Sequence, residues 1–348
     1  MLSQQPLDSN ATSGSRFRTG HPKPTDAFLL WHLTGGEAWA SDVATASRTA
    51  LWALDGRDWD PELCALFGVP AAALPPVLAN ASERGVAVVG GERLPVLAAA
   101  VDQQAALFGH NALEAGDLKI TYGTGAFVLG QLGATARRAP GVLLTTVAWE
   151  LGEGRRFAFD GGVFTAGAAV DWAMRLGLLA TASESAALAR AARPDDALFV
   201  PALQGLGAPH WDGGARGLFV GLSLNTGSAE AVRAILDGIA LRVGDVVRAM
   251  ADAGMAVGRV RVDGGPAGNP YLMQCQADVL QARVEVADVE DAAALGVALM
   301  ARLAAGDPGS PPPRPPRAVY VPDMAPLARD ALCERWREAV RLARAWHP

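Results

Sequence analysis

A chain of 348 residues, half of them hydrophobic, with a mean hydropathy of +0.17, has the material for a large core and for more than one domain. Its formal charge of −6 and pI near 5.4 give no basic field for a polyphosphate backbone, which argues against nucleic acid as a partner. Cys64, Cys275 and Cys333 form neither CxxC pairs nor clusters with the five histidines, so they read as reduced thiols of a cytoplasmic protein, and no run of 18 apolar residues or signal-peptide core points to a membrane.

Residues 1–24, rich in Ser, Asn, Gly and Pro, are expected to be disordered. TDAFLLWHLTGG carries apolar residues at helical spacing and stops at Gly35-Gly36; WDPELCALFGVP predicts a second short helix closed by Gly and Pro. In RLPVLAAAVDQQAALFG an apolar run with the look of a buried strand turns polar at Asp102 and continues as a helix. Strands are expected in LKITYG, AFVLGQLG, GVLLTTVAWEL and RFAFDGGVF. Residues 228–252 place Val232, Ile235, Ile239, Val243, Val246 and Met250 on one helical face behind a Ser228 cap. RVRVDGG and RVEVA then alternate as strands with the helical NPYLMQCQADVL and AAALGVALMARLAAG, a pattern of α/β layers. Residues 306–317 form a Pro-rich connector, and 318–348 end in an amphipathic helix expected to dock on the body.

Three glycine-bearing turns could carry chemistry. In KITYGTGAFVLG the turn Gly123-Thr124-Gly125 joins two strands; without bulky Cβ atoms its backbone N–H groups are open to an anion, although a plain tight turn reads the same way. In VRVDGGPAGNPYLMQ, Gly264-Gly265 follows a strand, and Asn269-Pro270 reads as a helix cap and first helical residue. Close backbone approach and the helix dipole suit a phosphate there, and packing is the competing reason for the glycines. FDGGVFTAGAAVDW brings Gly161, Gly162 and Gly167 to a strand-to-helix transition, where packing alone accounts for them. Asp102 either caps its helix or accepts a proton from a substrate hydroxyl, with Gln103 beside it able to bind a neighbouring hydroxyl. GLGAPHWDGGARG reads as a structured loop, since His210 and Asp212 have no second ligand cluster for a metal. Neither GxxxxGK[ST], GxGxxG, GxSxG nor HExxH occurs.

DQQAALFG, TYGTGAF, GVLLTT, GAPHWDGGARG and RVDGGPAGNPYLMQCQADVL occur in the order of segments in the FGGY family of carbohydrate kinases, and the chain resembles that family, in particular its glycerol kinases, from about Thr25 to Gly306. SDVATASRTALWAL fits the same pattern. The resemblance implies a ribonuclease H-like, actin-like ATPase fold of two α/β domains. A remnant of the substrate domain would span 25–110 and the nucleotide domain 111–305. It implies ATP and Mg2+ as cofactors and a polyol or sugar as substrate, with phosphorylation of glycerol to glycerol 3-phosphate as the reaction. Gly123, Thr124 and Gly125 would touch the phosphates, and Gly167 and Asp171 would line the nucleotide cleft. Gly265 and Asn269 would hold the adenosine; Asp102 would be the general base and Gln103 a hydroxyl ligand.

The chain departs from the family at Val101, where glycerol kinases carry glycine, at Asp171, where they carry a nucleotide-contacting glutamine, and at Pro266. The resemblance also implies an incomplete first domain, lacking an initial Asp-x-Gly-Thr phosphate hairpin and the Arg-Glu, Trp and Tyr positions that grip glycerol. A homo-oligomer or a complementing N-terminal chain is then an open partner. The alternative is an impaired nucleotide-binding fragment or interaction protein.

Overall fold

A computed structural model describes residues 24–152, 154–193, 196–307 and 314–346; the expected disorder of 1–24 falls, but for Pro24, outside the described residues, as does the middle of the Pro-rich connector. The chain forms two compact units. Among the described residues the smaller takes in those up to 105, those from 146 to 155 and those from 294 to 307, and the larger those from 106 to 145, from 156 to 293 and from 314 to 346.

In the smaller unit α1 (Thr25–Leu33) stops where the Thr34 hydroxyl turns back to the Leu30 carbonyl, and Gly35 and Gly36 follow at φ +65° and +90°. Strand β1 (Ser41–Asp42) pairs in parallel with β2 (Val77–Leu78) and leads into α2 (Val43–Ala46). Asp42 caps α2 by accepting the amides of Ala44 and Thr45, and Asn80 donates to the same carboxylate at 2.8 Å. Burial pushes the Asp42 carboxyl up against these hydrogen bonds. Helix α3 (Pro61–Leu66) has Asp60 as cap and Pro61 as first residue, as WDPELCALFGVP predicts. Strands β3 (Val86–Val89) and β4 (Glu92–Pro95) form a hairpin around Gly90 and Gly91. The apolar run before Asp102 is not the buried strand expected. Strand β4 ends at Pro95 with all four residues exposed, and 96–101 form no strand: Val96 bonds to the backbone of Arg84 and Gly85, Ala99 to Asn80, and Ala98 bridges Ala81 before α4 (Asp102–Gly109) begins. Apolar content alone does not separate a strand from a covered extended segment.

One mixed sheet supplies most strands of the larger unit. Its strands are β5 (Leu118–Tyr122), β6 (Ala126–Gly133), β8 (Gly154–Val163), β11 (Val260–Asp263), β12 (Val284–Val286) and β13 (Ala318–Tyr320), while β7 (Leu144–Leu151) completes the sheet order β13-β12-β11-β5-β6-β8-β7. Strand β11 runs parallel to both β5 and β12, whereas β5–β6, β6–β8 and β12–β13 are antiparallel. The fold is thus mixed α/β. Helices α5 (Gly167–Arg175), α6 (Ser185–Ala191), α7 (Ser228–Asp252) and α8 (Pro270–Leu280) follow the strands, with a short β9 (Leu198–Val200) and β10 (Leu218–Val220) pair between them, while α9 (Ala292–Ala304) falls from Ala294 onward in the smaller unit.

The predicted face of α7 is buried throughout, but its cap is Gly227, not Ser228: Glu230 reaches back to accept the Gly227 amide at 2.9 Å. Beyond the connector the chain adds the edge strand β13, which the sequence pattern did not reveal, and then α10 (Pro326–Ala345). Trp336 of α10 is fully buried, and its indole N–H donates to Asp245 Oδ2 of α7 at 2.9 Å. Among the described residues no helix is long and apolar enough to cross a membrane.

Candidate functional site

The Gly123-Thr124-Gly125 turn is closed by the Gly123 amide donating to the Gly125 carbonyl at 2.8 Å. It rests on the start of α5: the Gly167 amide donates to Gly123 O at 2.9 Å, and the amides of Ala166 and Ala168 donate to Thr124 O at 2.8 and 3.1 Å. These approaches explain two glycines. A Cβ on Gly167 would lie 2.6 Å from Gly123 O, and one on Gly125 would lie 2.4 Å from Val163 O. Gly125 is buried against β8, while Gly123 and Thr124 are exposed.

The second turn grows from the end of β11. Gly264 sits at φ +90°, and a Cβ there would fall 1.9 Å from Tyr122 O, so the end of β11 is pressed on the end of β5. Gly265 and Gly268 are different, because nothing lies within 4 Å of the place a Cβ would take. Asn269 caps α8, accepting the amides of Tyr271 and Leu272 at 3.0 Å, and its Nδ2 donates to Ser185 Oγ at 2.9 Å. Asn269-Pro270 is therefore the cap and first residue that the sequence predicts.

These turns open on one cavity of about 580 Å³ within the larger unit. Gly123, Thr124, Gly167, Asp171, Gly265 and Asn269 all line it, with Val170, Leu236 and Leu272 as apolar wall and Ser183 and Ser185 as further hydroxyls. Gly125 is not among the lining residues. Asp171 is the one acidic side chain of the lining, and it is exposed. The volume lies in the range of small-ligand sites, and exposed glycine backbone beside a capped helix start suits an anionic group joined to a flat apolar one.

Asp102 and Gln103 belong to the smaller unit. The exposed Asp102 carboxylate accepts the Gln103 amide at 2.7 Å and the Gln103 side-chain N–H at 3.2 Å, which keeps it aimed at the first turn of α4.

Sequence reasoning missed Ser183 and Ser185, and it missed the pair His110–Asp263, 2.6 Å apart directly before Gly264. Burial raises the Asp263 carboxyl, but the His110 hydrogen bond and charge and the nearby Lys119 outweigh it and hold the group below the usual carboxylate range. An acid next to a glycine pair was the available signal. GLGAPHWDGG is a structured loop as expected: Asp212 accepts the amides of Gly214 and Ala215 and pairs with Arg344. Among the described residues no group of three or more His, Cys, Asp or Glu is arranged to hold a metal ion.

The glycerol kinase of Rhodopirellula baltica is 47% identical over 287 residues, covering 81% of this chain and 53% of the relative. That of Rhodospirillum centenum is 41% identical over 97% of this chain and 70% of the relative. The crystal structure of Plasmodium falciparum glycerol kinase with ADP matches at a TM-score of 0.85 and 29% identity, covering 91% of this chain and 65% of that one. The chain thus spans about half to two thirds of the length of the relatives it matches first. The family models for the N-terminal and C-terminal domains match residues 23–109 and 118–305, so the chain belongs to the FGGY family of carbohydrate kinases.

Proposed function

We propose that the protein takes part in ATP-dependent phosphorylation of a polyol or sugar hydroxyl, with glycerol as acceptor and glycerol 3-phosphate as product. The observation that carries this reading is the convergence of Gly123-Thr124, Gly167 and Gly265-Asn269, far apart in sequence, on one cavity of nucleotide size. Relatives named glycerol kinase at 41–47% identity support the acceptor.

In this reading the exposed Thr124 hydroxyl and the Gly123 backbone hold the phosphates. The open space at Gly265 and Gly268 admits the nucleoside, and Asn269, fixed by its bonds to α8 and Ser185, borders the base. Charge-assisted hydrogen bonds of this kind contribute about 1.5–3 kcal/mol each. Mg2+ bound with the nucleotide would neutralise phosphate charge; such an ion takes only one or two carboxylates, and Asp171 is the carboxylate of the cavity lining that would hold it. Asp102 accepts the proton of the acceptor hydroxyl and Gln103 binds a neighbouring one. The three cysteines are unpaired thiols, which supports a cytoplasmic setting.

A second reading, nucleotide binding without transfer, is favoured by the fact that all residues lining the cavity come from the larger unit alone. Calorimetry with ADP and a coupled ADP-release assay over glycerol, dihydroxyacetone, xylulose and ribulose decide between them. Binding with turnover on glycerol supports the kinase. Binding without turnover on any acceptor leaves the second reading, and absence of ADP binding ends both.

A further inference from the structure

A second cavity of about 550 Å³ lies in the larger unit, lined by α6, α7, α8, β13 and α10, and it shares Pro270 with the first. Its charged lining is three acids, Glu230, Asp237 and Asp278, and three arginines, Arg190, Arg233 and Arg335. The two sets are not equally occupied.

The carboxylates are taken up by the fold. Glu230 accepts the amides of Gly227 at 2.9 Å and Arg193 at 3.1 Å. Asp237 accepts the Tyr271 hydroxyl at 2.9 Å and the Cys275 thiol at 3.3 Å. Asp278 accepts the amides of Asp323 and Met324 at 2.7 and 3.1 Å and the Gln274 side chain at 3.1 Å.

The guanidiniums keep most of their donors. Arg190 is exposed and has no ion pair among the described residues. Arg233 lies 3.6 Å from Asp237 and also interacts with Tyr271, which leaves part of its fork open, and Arg335 pairs with Asp196 at the surface, where both groups are exposed and such a pair is weak. Each guanidinium carries five N–H groups in a planar fork that suits phosphate and carboxylate. Behind them the walls are apolar, from Leu198, Met324 and Leu332 and from Tyr271 and Tyr320.

From this surplus of donors over a part-apolar pocket we infer that the cavity is a second ligand site, taking a small phosphate monoester: the dianion meets Arg190, Arg233 and Arg335, and the carbon body meets the tyrosine-lined wall. The site is independent of the nucleotide reading, since Thr124, Gly265 and Asn269 do not line it.

The chain holds three tyrosines, of which Tyr271 and Tyr320 line this cavity and Tyr122 is fully buried in β5, bonded to Gln276 at 2.6 Å. Labelling with 3-fluorotyrosine therefore gives two 19F reporters at the site and one marker of the intact sheet, assigned by Tyr→Phe variants. Phenyl phosphate titrated to about 10 mM is expected to move the Tyr271 and Tyr320 signals saturably and to leave Tyr122 in place. In Arg190→Ala and Arg335→Ala, with Tyr122 unmoved as evidence of folding, affinity is expected to fall about tenfold. Three results overturn the inference: no saturable shift, unchanged affinity in both arginine variants, or equal binding of benzoate or phenol. The first two remove the site, and the third removes its phosphate chemistry.

Discussion

Glycine is the residue on which the site turns, and two neighbours in sequence do opposite work. Gly264, at φ +90° with Tyr122 O 1.9 Å from a Cβ position, has no room and no permitted backbone for a side chain. Gly264→Ala is expected to cost about 2–5 kcal/mol of stability, read by urea unfolding, as left-handed strain adds to backbone overpacking. Gly265 has open space around its Cβ position, so Gly265→Ala is expected to shift stability by no more than about 0.5 kcal/mol. Its methyl group enters the cavity, and the ADP dissociation constant measured by calorimetry is expected to rise about tenfold, the equivalent of one lost contact. An unchanged ADP affinity in that variant would remove Gly265 from the nucleotide site. The sequence marks both positions as glycine after a strand and says no more, because the clash that separates packing from ligand access comes from Tyr122, more than a hundred residues away. Gly125 and Gly167 illustrate the same limit. The Asn269-Pro270 cap was legible because its partners, Tyr271 and Leu272, are local.

At the scale of elements, local signals were readable and long-range ones were not. The apolar face of α7 and the alternation in β11 and β12 follow from periodicity alone. Two boundaries slipped where a partner decides them. The cap of α7 falls on Gly227 because Glu230 reaches back to its amide, and β13 exists only because β12 offers it an edge. Backbone amides of Arg193 and Gly227 donate to Glu230 and hold its carboxyl at about 2, against an ordinary 4.5. A carboxyl lowered in the folded state stabilises fully above 4.5, and that stability is lost as pH falls towards 2. Melting temperatures across this range are therefore expected to fall steeply in the native chain and less steeply in Glu230→Gln, so that the two curves approach each other in acid. Parallel curves would show that the amides do not favour the ionised form. Helix α10 buries Cys333, Trp336, Ala339, Val340 and Ala343, and Trp336, fully buried and hydrogen-bonded to Asp245, is the largest of them. Trp336→Ala is expected to cost about 3–5 kcal/mol in thermal or urea unfolding.

Across the whole molecule the interleaving of strands and helices announced an α/β fold, and the order of five separated segments announced the family. The resemblance implied two domains meeting near residue 110, but the further crossings within β7, β8 and α9 were not legible, since no linker composition marks them. On the proposed function, two roles fall in different units and can be measured apart. Every residue lining the nucleotide-sized cavity is in the larger unit, whereas Asp102 is in the smaller. On that reading, ADP affinity is expected to depend on residues of one unit and proton removal from the acceptor on a residue of the other. Asp102→Asn keeps the shape and the hydrogen-bond acceptor facing the Gln103 amide and removes only the basicity, so the α4 start and the melting temperature are expected to hold. A lost general base lowers kcat by about 10²–10⁴-fold. The variant is expected to show that drop with an ADP dissociation constant within about twofold of the native value, the mirror image of Gly265→Ala. If Asp102→Asn turns over glycerol at close to the native rate, the base lies elsewhere. If it loses ADP binding as well, then Asp102 reaches the nucleotide and its role is not that of a base.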